Sequence, residues 1–130
     1  MSADVLVIDD EPVVREAVRR ILEADGLQVI GAEDGASGLA HPAARNCRLV
    51  LCDLMLPDLP GMQVLRSLHA ERPDLPVVMI TGFATPDHAL RARDAGAIDF
   101  LAKPFEAGEL LETVRRALLV GASEIRRGRS

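Results

Sequence analysis

The sequence has no tryptophan and no tyrosine, and its only aromatic rings of that kind are Phe83, Phe100 and Phe105. Proteins that hold single-stranded nucleic acid stack bases on such rings, so the platform for that activity is missing. Positive charge is also short: 15 Lys and Arg stand against 20 Asp and Glu, a formal net charge of -5. Such a surface lacks sustained attraction for phosphodiesters, and no direct nucleic-acid binding is expected. Cys47 and Cys52 are the only thiols, and Cys52 falls inside the apolar run Leu49 to Cys52, where a small buried residue is the expected reading. His41, His69 and His88 are dispersed and none directly follows an apolar run, which assigns them to the surface. Long hydrophobic runs are absent as well. The first apolar stretch begins at Val5 and stops at Asp9, which excludes a signal-peptide core or a membrane span there and predicts a cytoplasmic protein.

What is present is a chain of 130 residues, 48% hydrophobic and 27% charged, enough for one buried core. Short β-branched runs alternate with longer stretches of helical period, the pattern of an α/β, doubly wound, five-stranded parallel sheet with helices on both faces. The strand candidates are Val5 to Ile8, Gln28 to Ala32, Leu49 to Cys52, Val77 to Ile80 and Asp99 to Ala102. Most are continuously apolar, as strands covered on both faces should be. The first helix carries Val13, Val14, Ala17, Val18, Ile21 and Leu22 on one face, opens at Pro12 and closes at Gly26. Met62, Leu65 and Leu68 mark the third helix, Thr85-Pro86-Asp87 opens a fourth that ends at Gly96, and the last begins near Glu106. The second contains Gly35, Gly38 and Pro42, so it is expected to be short, frayed or kinked. Residues 121–130 are polar and read as a tail or the start of a linker, leaving 1–120 as the domain.

In an open parallel sheet, ligands sit outside the carboxyl ends of the strands. Four of the five exits carry reactive residues: Asp9 and Asp10 after the first, Asp53 after the third, Thr81 after the fourth, and Lys103 with Pro104 after the fifth. Singly, each has a plain reading as a helix cap or a turn. Together they converge on one volume. Two unit charges 4 Å apart repel by about 4 kcal/mol at an effective dielectric near 20, so three acids need a cation among them. Lys103 supplies one charge, and a hard divalent ion supplies the rest. Mg²⁺ suits oxygen ligands shared with phosphate, whereas zinc would want His or thiolate.

The segments VLVIDDEP (Val5 to Pro12), LVLCDLMLPDLPGM (Leu49 to Met62), VVMITG (Val77 to Gly82) and GAIDFLAKPF (Gly96 to Phe105) resemble, in this order and spacing, the receiver domain of two-component response regulators, a CheY-like, flavodoxin-like fold. The resemblance implies strand order 2-1-3-4-5. It implies that Asp53 accepts a phosphoryl group from a phosphohistidine on a sensor histidine kinase or histidine phosphotransfer protein. It implies that Asp10, Asp53 and the Met55 backbone carbonyl bind Mg²⁺ directly, with Asp9 acting through water. Lys103, the Thr81 hydroxyl and the N–H groups of Leu54, Met55 and Gly82 would hold the phosphoryl oxygens, and the Lys103-Pro104 peptide would be cis. Thr81 and Phe100 would form the switch, Thr81 moving toward the phosphate and Phe100 into the space it leaves. Tyr is common at that position, and Phe has no hydroxyl, so only the steric form of the switch applies; a plain core Phe is the competing reading.

By the same resemblance the face made by the fourth helix, fifth strand and fifth helix meets an output domain or protein, with transcription as a parent role. Arg91, Arg93, Asp99, Glu109, Glu112, Arg115 and Arg116 could pair there across a homodimer, or simply be solvated. Met55 and Phe83, each two residues beyond a site residue, are apolar and cannot orient water, which predicts slow self-dephosphorylation. The competing class is a metal-dependent phosphohydrolase of the haloacid-dehalogenase kind, which carries a second Asp two residues after its nucleophile, where this chain has Met55. A receiver-like module that no longer takes phosphate is the other alternative.

Overall fold

The computed structural model describes the backbone of residues 3–129 and the side chains of residues 3–120. The strands are β1 (Val5–Ile8), β2 (Val29–Ala32), β3 (Leu49–Asp53), β4 (Val77–Thr81) and β5 (Asp99–Ala102), and the helices are α1 (Pro12–Ala24), α2 (Gly35–Ala40), α3 (Gly61–Glu71), α4 (Pro86–Asp94) and α5 (Ala107–Arg129). All strand pairs are parallel, in the order β2-β1-β3-β4-β5. The expected topology is therefore the observed one.

The alternation of side chains along each strand builds two cores. Leu6, Ile8, Val50, Cys52, Val77 and Met79 point to one face, where Val64, Leu65 and Leu68 of α3 and Ala92 of α4 cover them. Val5, Val7, Leu49, Leu51, Val78 and Ile80 point to the other, under Val18 and Leu22 of α1 and Leu110, Val114 and Ala117 of α5. Every residue of β1, β3 and β4 is buried, which explains sequences that are apolar up to the last residues of β3 and β4, Asp53 and Thr81. The edge strand β2 has two exposed positions, as a sheet edge allows. Helix α5 continues to Arg129, so 121–129, polar enough to suggest a tail, carry on its helical backbone.

The weak second helix is short for the reasons its sequence suggests: six residues, then a 3₁₀ turn at Pro42–Arg45. It is held by a device that the local sequence does not show. Asp34 caps it by accepting from the Ser37 N–H at 2.7 Å, and Asp58, in the loop between β3 and α3, accepts from the Gly35 and Ala36 N–H groups, both at 2.8 Å. The first-turn N–H groups, left without partners by any helix start, thus receive carboxylates from two loops. These bonds hold the Asp58 carboxyl below its ordinary pKa of 3.8, those from Ala36 and Gly35 being the strongest cause. An acid with a depressed folded-state pKa adds stability above its ordinary value and loses it as pH falls through the folded value. Asp58→Ala is accordingly expected to lower the thermal midpoint at neutral pH. The gap from the parent should close below about pH 4, and a gap that persists in acid, measured by calorimetry, would show that the loss is not electrostatic.

Candidate functional site

Strand register brings the loaded exits together. Ile8 pairs with Cys52, so Asp9 and Asp53 leave adjacent strands at the same level, and Thr81 lies opposite Ala102, one residue before Lys103. One open cleft of about 240 Å³ is lined by Asp10, Glu11, Asp53, Met55, Thr81, Gly82, Phe83 and Lys103. Lys103 is its hub: Nζ lies 2.8 Å from Asp9 Oδ2, 2.8 Å from Glu11 Oε1 and 2.8 Å from Asp53 Oδ2. The side chain is only 11% exposed. Its Lys103-Pro104 peptide is cis.

The acids are held from behind by backbone. Asp9, fully buried, accepts from the Glu11 N–H through Oδ1 at 2.8 Å, and Asp53 accepts from the Met55 N–H through Oδ1 at 3.0 Å. Asp9 Oδ2 faces Lys103 as an ionic contact but receives no well-angled hydrogen bond. Burial drives the Asp9 carboxyl above its ordinary pKa, and the nearby Asp53 charge adds to the rise. The Lys103 ammonium and the Glu11 N–H oppose it. For Lys103 burial disfavours the charge, yet its contacts with the Asp53, Asp9 and Glu11 carboxylates outweigh that and raise its pKa.

One oxygen from each of Asp9, Asp10, Glu11 and Asp53 can lie within 4.8 Å of all the others. Four carboxylates against one ammonium, with a buried oxygen on Asp9 lacking a directed donor, is a donor set that fits a hard divalent cation.

The expected residues Asp9, Asp10, Asp53, Met55, Thr81, Gly82 and Lys103 all meet here. Thr81 is buried and its Oγ1 accepts from the Phe83 N–H at 3.1 Å. Phe100 sits half-buried beside Thr81's strand, paired with Met79 and packed against the α3/α4-side core. One expectation needs correcting: the Leu54 N–H donates to the Ile80 carbonyl at 2.9 Å, so the sheet ladder uses it and it is not free for a phosphoryl oxygen.

Two participants were missed. Glu11 bonds Lys103, and its signal was the unbroken acidic triplet Asp9-Asp10-Glu11. Arg15 donates to the Asp9 carbonyl at 2.6 Å, bringing a second cation up behind the acids, with no sequence signal beyond its place on the first turn of α1. The close seating of the β3–α3 loop depends on Gly61, where a Cβ would come within 2.3 Å of the Asp53 carbonyl oxygen.

The three histidines are not simple surface residues. Each is half-buried with a ring nitrogen on backbone: His41 accepts from the Ala43 N–H, His69 meets the Leu75 carbonyl and His88 the Phe83 carbonyl. On the α4, β5 and α5 face the charges mostly pair within the chain, Arg91 with Asp87, and Arg116 with Asp99 and Glu112. Exposed pairs of this sort are worth about 0 to 1 kcal/mol.

Residues 5–115 match the family model of the response regulator receiver domain. The chain belongs to that family. The receiver is 41% identical over 119 residues to the C4-dicarboxylate transport transcriptional regulatory protein DctD of Pseudomonas aeruginosa, covering 92% of this chain and 26% of that protein. Among solved structures, NtrX from Brucella abortus superposes with a TM-score of 0.91 at 38% identity, over 98% of this chain and 30% of NtrX. A CheY-like receiver domain protein from Methanospirillum hungatei gives 0.86 at 30% identity, over 95% of this chain and 99% of its own. The chain thus spans about a quarter of DctD, and about half of the mycobacterial regulator MprA. A receiver is a regulatory domain, the phosphoacceptor switch of a two-component system, and the acidic cluster lies where such domains generally use Mg²⁺. Among the described residues no helix is long and apolar enough to cross a membrane.

Proposed function

We propose that Asp53 is the phosphoacceptor of this receiver and that residues 1–120 form the switch unit, with 121–130 a polar tail or the start of a linker. The observation that carries this is the convergence of Lys103 on Asp53, Asp9 and Glu11, each at 2.8 Å, in a cleft open to solvent. A carboxylate oxygen of Asp53 attacks the phosphorus of a partner's phosphohistidine. The new O–P bond forms as the P–N bond breaks, and the electron pair returns to the partner's imidazole. Asp53 and Asp10 with the Met55 carbonyl would hold Mg²⁺ directly, and Asp9 through water. When bound, the ion supplies neutralisation of the charge spread over the transferred oxygens.

Lys103 places its ammonium on the same oxygens, exchanging its bond to the Asp53 carboxylate for one to the phosphoryl group. The Met55 N–H, now on Asp53 Oδ1, and the Gly82 N–H are the backbone donors. Thr81 turns its hydroxyl to the phosphoryl group, and Phe100 follows into the space vacated, remodelling the face of α4, β5 and α5. That face is the proposed contact for an output domain or protein, transcriptional control by analogy with DctD, or for a second copy of the chain. The donor is a sensor histidine kinase or phosphotransfer protein, and the setting cytoplasmic.

Incubation with acetyl phosphate and Mg²⁺ followed by intact mass measurement tests the proposal. One phosphoryl group per chain, lost when Mg²⁺ is chelated beforehand, is the expected result, and an unmodified chain overturns it. Multiple turnovers of small phosphate esters would favour the hydrolase reading instead.

Met55 is 55% exposed and Phe83 66% exposed, both at the rim of the cleft. Neither offers a group to orient water. Met55→Asn is expected to shorten the phosphorylated lifetime several-fold, followed by the decay of the modified mass, and an unchanged lifetime removes the rim from the account of slow hydrolysis.

A further inference from the structure

Thr81 does not reach its switch position freely, because its loop is tied down. Thr81 Oγ1 accepts from the Phe83 N–H at 3.1 Å, and on the other side of the same residue the Phe83 carbonyl lies 2.6 Å from His88 Nδ1. A carbonyl only accepts, so Nδ1 carries the proton and donates. His88 is itself anchored on the first turn of α4, where its backbone N–H donates to Thr85 Oγ1 at 3.1 Å. Bonds from 81 to 83, 83 to 88 and 88 to 85 therefore tie the β4–α4 loop to the first turn of α4. Little else restrains it. Residues 82–87 are exposed, a Cβ built on Gly82 meets nothing within 4 Å, and the Phe83 ring is turned to solvent. Among the described residues, no other side chain bonds the backbone of 82–84.

We infer that His88 is a positioning residue of the switch: its bond to the Phe83 carbonyl holds the loop, and through the Phe83 N–H the Thr81 hydroxyl, in the unmodified arrangement. The inference rests on the reading of Thr81 as the switch hydroxyl. For Thr81 to turn toward a phosphoryl group on Asp53, Oγ1 must leave the Phe83 N–H or carry that peptide with it. Either movement strains or breaks the His88 bond. His88 thus weights the equilibrium toward the unmodified state, and a ligand that favours the other state binds less tightly by that factor.

Beryllofluoride, added with Mg²⁺ to the full chain as a phosphoryl mimic, reads this directly. A hydrogen bond of ordinary net strength sets the scale, so His88→Ala is expected to bind the mimic about 2- to 10-fold more tightly. His88→Leu, which keeps bulk without the donor, should match it. His88→Asn can place its amide nitrogen where Nδ1 now lies and should return the affinity close to that of the parent. The Phe83 and Gly82 amide resonances should shift in the Ala and Leu variants, with the thermal midpoint nearly unchanged.

Equal affinity of parent and His88→Ala, or an Asn variant that behaves like Ala, overturns the inference while leaving the phosphoacceptor reading intact. A parent that takes up neither beryllofluoride nor acetyl phosphate overturns that reading, and this inference with it.

Discussion

Asp53→Asn is expected to be folded, to bind its partner surface as the parent does, and to gain no phosphoryl group from acetyl phosphate in Mg²⁺. The amide oxygen is isosteric with the carboxylate oxygen it replaces and still able to accept from the Met55 N–H, which now sits 3.0 Å from Asp53 Oδ1. What it lacks is a charged nucleophile. Lys103 loses one of its three anionic contacts and keeps Asp9 and Glu11, so the loss of activity should come without loss of fold. Intact mass after acetyl phosphate treatment makes the comparison. A variant that still takes up one phosphoryl group would move the acceptor to another residue, and the adjacent carboxylates Asp9, Asp10 and Glu11 would have to be tested in turn.

Lys103→Met should produce the largest change in stability. Removing the ammonium leaves Asp9, wholly buried, and Asp53, whose side chain is 5% exposed, without the cation that contacts both carboxylates, since Arg15 reaches only the Asp9 backbone carbonyl. Breaking a buried ion pair costs about 3 to 5 kcal/mol; because the cleft is open and Glu11 is half in water, about 2 to 3 kcal/mol is expected here. Urea unfolding in the presence of a chelator measures it. Magnesium should restore part of the loss, since a ligand that binds only the folded chain stabilises it by mass action. A variant with the parent's midpoint in chelator would mean that the three 2.8 Å contacts carry no net energy.

The fold was legible because its strands are central. β1, β3 and β4 are buried on both faces, which calls for apolar residues along all but their polar last positions, Asp53 and Thr81, so the apolar runs lie within a residue of the observed bounds. The site was legible for a related reason: parallel strands all end on the same side, so Asp9, Asp53, Thr81 and Lys103 could be placed together from their positions alone.

What could not be read was the work of side chains reaching across elements. Asp58 caps a helix more than twenty residues away in sequence, and Arg15 turns from the first turn of α1 to a strand-end carbonyl. The histidine rings bond backbone two to six residues away in local geometries that no periodicity announces. The ligand role for the Leu54 N–H comes from the resemblance alone; β3 runs one residue past its apolar run, and with Asp53 inside the strand its neighbour continues the ladder.

Strand β3 lies in the middle of the sheet, paired on one side with β1 and on the other with β4. Amide exchange there requires the whole sheet to open, whereas the loop at 82–85 can open by itself. The covalent mark proposed for Asp53 would thus sit at the end of a strand expected to exchange slowly, and its consequence would be expressed in a loop expected to open far more readily.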